Sequence, residues 1–83
     1  MDQIEIKIQF FGELKKYFSE AIYLHVNKGV IASDVIDTLL AMNASAKSII
    51  DISQLAIEST IVTRDFIIDT NCELIILPPF SGG

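Results

Sequence analysis

From Ile4 to Phe10 apolar and polar residues alternate, with Ile4, Ile6, Ile8 and Phe10 set between Glu5, Lys7 and Gln9. A period of two predicts a strand with one buried face. Gly12 interrupts it, and Glu13 to Ser19 then places Leu14, Tyr17 and Phe18 at helical spacing with Lys15 and Lys16 opposite, predicting a short helix. Ala21 to Val26 alternates again: Ile22, Leu24 and Val26 share one face, Tyr23 and His25 the other. Asn27-Lys28-Gly29 ends that strand with turn residues. Ser33 reads as a helix N-cap, and Asp34 suits the positive end of the helix dipole. Behind them Val35, Ile36, Leu39, Leu40 and Met42 form an apolar stripe, so the principal helix is expected to run to about Asn43.

Ala44 to Leu55 fits either a short helix around Lys47 to Ile52 or a loop. Ala56 to Val62 reads as a third strand, Thr63-Arg64-Asp65 as a turn, and Phe66-Ile67-Ile68 as a short strand or a packed loop. Glu73 to Leu77 closes the fold with Leu74-Ile75-Ile76-Leu77, an unbroken apolar run that fits a strand covered on both sides. Four to five strands and one main helix predict an α+β domain over residues 1–77, with the helix packed on one face of the sheet. If the first and last strands are both central, they lie side by side.

Composition narrows what such a domain can do. A chain of 83 residues buries only about 60–65% of the surface its unfolded form exposes, which leaves little room for an enclosed catalytic pocket. Half of the residues are hydrophobic, enough for a core. The net charge of −5, with six scattered basic residues and Arg64 the only arginine, argues against nucleic acid. An acidic body suits a partner with a basic face. Cys72 is the only cysteine, so no intramolecular disulfide or cysteine-based metal site is expected. Met1-Asp2-Gln3-Ile4-Glu5 lacks the pattern of a signal peptide, and no apolar run reaches the roughly 20 residues that span a bilayer. The expected place is the cytoplasm, with no membrane contact.

After Leu77 the composition changes, and residues 78–83 read as a flexible tail. The pair Pro78-Pro79 favours an extended path away from the sheet. Phe80 is apolar with nothing later in the chain to cover it, and Ser81-Gly82-Gly83 is nearly free of side chains. At roughly 3.3 Å per residue, Pro79 to Gly83 reaches on the order of 16 Å from the body. Two glycines are a poor choice for stability, since glycine loses the most entropy on ordering. They suit the threading of a carboxylate down a channel too narrow for a Cβ. A terminal carboxylate, ordinarily with a pKa of about 3.5, is an anion at neutral pH and resists attack at carbon. To become an acyl donor it must first gain a leaving group such as AMP. The chain has no Gly-x-x-x-x-Gly-Lys loop, so a partner must supply the ATP site, and no bound cofactor is expected. Gly83 is therefore the candidate reactive residue, with Gly82, Ser81, Phe80 and Pro79 as candidates for binding a partner's channel. A bare Gly-Gly end also fits a frayed terminus, but its position directly after Leu-Pro-Pro-Phe-Ser and the last core strand favours function.

Three segments resemble the small subunit of molybdopterin synthase, the MoaD family: the opening Ile8-Gln9-Phe10-Phe11-Gly12-Glu13-Leu14, the central Ile61-Val62, and above all Leu77-Pro78-Pro79-Phe80-Ser81-Gly82-Gly83. The resemblance spans essentially the whole chain, and its most specific part is the closing Pro-Pro-x-Ser/Thr-Gly-Gly. It implies a ubiquitin-like β-grasp fold. It also implies a sulfur carrier, whose terminal glycine an activating adenylyltransferase adenylates with ATP and a sulfur donor converts to a thiocarboxylate. The tail would then enter the large synthase subunit and give its sulfur to cyclic pyranopterin monophosphate in molybdenum-cofactor biosynthesis. On that reading the chain is not an enzyme alone but the sulfur-donating subunit of a complex. Where family members often carry Gly-Asp before the last strand, this chain has Asn71-Cys72, and Asn tolerates the left-handed conformation that such a turn would need.

Rival readings remain. The related carrier of thiamin thiazole synthesis also ends in Gly-Gly, although the Pro-Pro-Phe-Ser approach favours the first. A ubiquitin-like modifier would join Gly83 to lysines of other proteins, and a plain β-grasp binding module would carry an incidental tail. Other reactive side chains have blander explanations. Cys72 reads as a small hydrophobe more readily than as a persulfide relay. His25 lacks a metal-ligand cluster in the sequence around it, and Asp34 and Asp37 are explained by a helix end and a solvated face. Phe10 and Phe11 read mostly as core, with room for one to reach the surface, since consecutive strand residues point to opposite faces.

Overall fold

The structure is a computed structural model, and it describes residues 2–79. The alternating segment forms β1, Gln3–Phe10, whose Ile6, Ile8 and Phe10 are fully buried. After a turn through Gly12, a single helical turn, α1 (Leu14–Tyr17), buries Leu14. It leads into β2, Ala21–Asn27, which returns antiparallel to β1. The Phe18 ring stacks on that of Phe10 with centroids 4.6 Å apart, closing one end of the core.

Gly29, at φ +89°, turns the chain into a two-residue strand, β3 (Val30–Ile31), and the principal helix α2 follows without a loop (Ala32–Met42). Ser33 is therefore not the N-cap: Ile31 occupies that position and Ser33 lies within the first turn. The cap is unnecessary because a neighbouring segment takes the first free N–H groups. Ala32 donates to the Phe66 carbonyl at 2.9 Å and Ser33 to the Arg64 carbonyl at 2.8 Å. Val35, Ile36 and Leu39 are buried as the stripe predicts, but Met42 is 57% exposed. Beyond Leu39 the core is filled instead by Ala46, Ile49 and Ile50 of the segment that follows.

That segment, open to two descriptions from sequence, is helical. A 3-10 turn spans Ala44–Ala46 and α3 spans Lys47–Asp51. Asn43 joins it to the first helix, its Oδ1 accepting from Ser45 N and its Nδ2 donating to the Tyr17 carbonyl at 3.0 Å. The single strand expected over Ala56 to Val62 is two, β4 (Gln54–Ile57) and β5 (Thr60–Val62). They form a hairpin whose two-residue turn, Glu58-Ser59, has positive φ at both positions (50° and 66°). Such a turn usually carries Asn-Gly, and its absence here hides the hairpin from pattern reading. Ile67–Ile68 is a strand, β6, paired with β3 in a small sheet of its own.

The last strand, β7 (Cys72–Leu77), runs parallel to β1 and antiparallel to β4. The main sheet thus has the order β2-β1-β7-β4-β5, and the first and last strands lie side by side at its centre. Parallel neighbours require a crossover, which the helical middle of the chain supplies. Leu74 and Ile76 are fully buried, whereas Ile75 and Leu77 on the other face are only half-buried, so β7 is covered completely on one side alone. Asn71 does not adopt the left-handed conformation: it lies outside the positive-φ residues, and its Oδ1 instead accepts from Glu5 N at 2.8 Å, tying the turn to β1.

Candidate functional site

Gly83, Gly82, Ser81 and Phe80 lie outside the described residues. Of the predicted tail, Pro78 and Pro79 are described: Pro78 is half-buried, and Pro79, the one candidate channel-binding residue among them, is exposed. What the fold determines is where the tail starts. Leu77 is held in register opposite Gln54, while Ile76 pairs with both Phe10 and Leu55. The tail therefore leaves from a strand hydrogen-bonded on both sides, a rigid base for it.

The surface beside that exit is the sheet face turned away from α2. Cross-strand register sets Gln9, Ile75, Ala56 and Ile61 in one row, with Leu77 and Gln54 in the next. Ile61 is 54% exposed, Ile75 and Leu77 are half-buried, and Ala56 is shielded between its neighbours. None of the residues in these two rows is ionisable. An uncharged apolar strip of this kind, rimmed by glutamines, has the make-up of a protein-docking surface. Its apolar members could have been read from the sequence only with the β4–β5 hairpin recognised, since that turn brings Ile61 across from Ala56.

The far half of the same face is charged. Lys7 Nζ lies 3.6 Å from Glu73 Oε2, and His25 Nε2 lies 3.3 Å from Glu5 Oε2, with Tyr23 in the row beside Lys7. Both pairs are exposed, and a surface ion pair such as Lys7–Glu73 adds little stability. Among the described residues the Glu5 carboxylate is the partner of His25. Among the described residues no group of three or more His, Cys, Asp or Glu side chains could hold a metal ion, and no helix is long and apolar enough to cross a membrane.

Cys72 sits at the opposite end of β7 from the tail, on the core side, opposite Ile6. Burial pushes its thiol pKa up, and the negative charge of Glu58 raises it further. Both effects disfavour the thiolate, the form a sulfur relay would need. Asp34 and Asp37 are exposed on α2, Asp34 in its first turn. Arg64 has a role that its reading as a turn residue missed. Its Nη2 donates to the Ile50 carbonyl at 2.7 Å and more distantly to that of Ser53, capping α3, while its own carbonyl caps α2. As expected, Phe10 is core and Phe11 is 38% exposed, with Lys15 Nζ 6.0 Å from its ring centre.

No protein-family model and no curated protein matches this sequence. Solved structures match along nearly its whole length. A putative molybdopterin converting factor subunit 1 from Pyrococcus furiosus superposes with a TM-score of 0.81 at 14% identity, over 93% of this chain and 99% of that one. The small archaeal modifier protein 1 from Methanosarcina acetivorans matches with a TM-score of 0.77 at 20% identity, over 100% of both chains. A complex of subunits 1 and 2 of the molybdopterin-converting factor from Helicobacter pylori matches with a TM-score of 0.67 at 16% identity, over 96% of this chain and 100% of that one. At these identities the likeness is one of fold. With its mixed five-stranded sheet, central parallel pair and principal helix across one face, the chain has the ubiquitin-like β-grasp fold.

Proposed function

We propose that this chain is a sulfur carrier of the molybdopterin synthase small-subunit kind. The observation that carries the reading is the junction at Leu77: the central strand β7 ends there beside an uncharged apolar sheet face, and Pro78-Pro79-Phe80-Ser81-Gly82-Gly83 follows it in sequence. The fold likeness to molybdopterin converting factor subunit 1, and to a complex of that subunit with subunit 2, supports it.

The chemistry follows from the carboxylate. With Gly83 as the terminal residue, one carboxylate oxygen attacks the α-phosphate of ATP in an activating adenylyltransferase, forming a mixed anhydride and releasing pyrophosphate. Sulfide sulfur from a donor then adds at the carbonyl carbon and expels AMP, leaving a thiocarboxylate. In the large synthase subunit that sulfur passes to cyclic pyranopterin monophosphate, and water returns the tail to a carboxylate. Gly82, Ser81, Phe80 and Pro79 occupy the partner's channel in this scheme, and the apolar face around Ile61 and Ile75 docks on the partner's surface. On this reading the steps run in the cytoplasm.

The test is an intact mass of the chain after incubation with ATP, activating enzyme and a sulfide source. Replacement of one oxygen by sulfur at Gly83 is the expected result. An unchanged mass, under conditions that modify an established carrier, would overturn the reading. A second reading is favoured by the full-length fold likeness to a small archaeal modifier protein. There the acyl adenylate ends on a lysine amine, and the distinguishing result is slower-migrating conjugates in extracts that disappear when Gly83 is deleted.

A further inference from the structure

The two edges of the main sheet are unequal. β5 is three residues long and starts from the tight Glu58-Ser59 turn, whereas β2 offers seven residues without proline, lysine or bulge. The backbone bonds Phe10 N to Glu20 O and Lys28 N to Asp2 O, both 3.0 Å, bracket the β1–β2 ladder and set its phase. In an antiparallel pair hydrogen-bonded positions alternate, so Ile22, Leu24 and Val26 bond toward β1. The N–H and C=O groups of Ala21, Tyr23, His25 and Asn27 therefore point outward. Of these, the Ala21 carbonyl accepts from Ser19 Oγ, while those of Tyr23, His25 and Asn27 meet no partner among the described residues. An edge of this length without protection is a template for another strand.

The sequence of β2 indicates which strand. Reflected about Leu24, it matches itself: Ile22 falls opposite Val26, Leu24 opposite Leu24, and Tyr23 opposite His25. This register pairs the outward-facing residues with one another, so each exposed N–H meets an exposed C=O. It also continues the rows of the sheet. On the core side the row runs Ile6, Leu24, then Leu24 and Ile6 of the second copy, and the pairing covers Ile22, Leu24 and Val26, which are only partly buried in the single chain. On the outer side a row runs Glu5, His25, then Tyr23 and Lys7 of the second copy, acid at one end and base at the other. The strand itself carries no carboxylate or lysine, although the chain as a whole has a net charge of −5, so the seam avoids most of that repulsion.

We propose that β2 is a self-association edge, on which two copies of this chain pair antiparallel about Leu24 into a ten-stranded sheet with two-fold symmetry. A closed isologous contact of this kind ends at the dimer. The contact is one strand wide, well below the roughly 1,600 Å² of a standard interface, so the association is weak and dependent on concentration. The β2 edge is separated from the tail exit on β7 by β1, and the pairing does not depend on the sulfur-carrier reading.

The experiment measures sedimentation and residue-resolved amide hydrogen exchange of the full chain between roughly 20 μM and 1 mM, a range that covers weak dimers. The mass is expected to rise toward that of a dimer. Exchange at the Tyr23 and His25 amides should slow several-fold with concentration, while the Ile22 and Leu24 amides are protected throughout. Tyr23→Pro removes an outward donor, blocks approach to the edge and leaves the bonds to β1 in place. It should hold the chain monomeric with an unchanged fold. A chain that stays monomeric at every concentration, as it would if the edge takes a strand from a different protein, overturns the proposal. So does a dimer that persists in Tyr23→Pro or forms without slowing exchange at Tyr23 and His25.

Discussion

The outer face of the sheet is two surfaces joined at β7. Over β1 and β2 it carries Glu5, Lys7, His25, Tyr23 and the start of β7 at Glu73, with charges paired across neighbouring strands. Over the second half of β7 and the β4–β5 hairpin it carries Ile75, Leu77, Ala56 and Ile61, with no charge. The first half is an ordinary solvated face. The second leaves apolar area exposed beside Leu77, the end of β7. One sheet, with one backbone pattern, thus separates solubility from docking by the side chains that each row receives.

The sharpest way to break the comparison is inside β7, where neighbours face opposite ways. Ile76→Ala, on the fully buried side, should cost about 2–5 kcal/mol in chemical denaturation through lost contacts and a cavity. Ile75→Ala, on the half-buried side, should cost less than about 1.5 kcal/mol. Equal costs would mean that the outer face is as well packed as the core.

Next in size is a charge placed on the apolar half. Ile61→Asp should leave the melting temperature nearly unchanged, because the side chain is 54% exposed, but weaken binding to a large synthase subunit by about tenfold or more in calorimetry. Glu5→Gln, on the charged half, should change that affinity by less than about twofold. The reverse ranking would move the docking surface to β1 and β2.

The hairpin that positions Ile61 offers a smaller effect of opposite sign. Replacing Glu58-Ser59 with Asn-Gly, which accept positive φ readily, should stabilise the fold by about 0.5–1 kcal/mol in thermal melts. Least of all, Cys72 should react slowly with iodoacetamide at neutral pH, and its rate should rise only at a higher pH than that of the unfolded chain's cysteine. A raised pKa keeps the unreactive thiol populated as pH increases. Glu58→Gln should lower that pH only in part, because burial is the larger cause.

Much of this was legible before any fold was known. Strict alternation in β1 and β2 marks both strands and their buried faces, and the stripe on α2 marks all but its exposed end at Met42. Short elements were not legible in the same way. β3 and β6 are two residues each and exist because they pair with one another, which no local pattern encodes. Ser33 carries the chemistry of a cap, yet the carbonyls of Arg64 and Phe66, more than 30 residues away, do that work. The candidate site divided similarly. Its proposed reactive end rests on Pro-Pro-Phe-Ser-Gly-Gly, a local sequence, whereas the apolar face depended on a hairpin turn that lacks its usual residues.

The alternation of the first two strands, the main helix and the α+β class were determined by the sequence itself, because each depends on residues close together in the chain. Only the tertiary structure decided that β7 lies between β1 and β4, that Ile61 comes to stand beyond Ala56 and Ile75, and that β2 is left as the long open edge. Those outcomes depend on hydrogen-bond ladders between distant segments, and a ladder's partner is chosen by packing over the whole sheet.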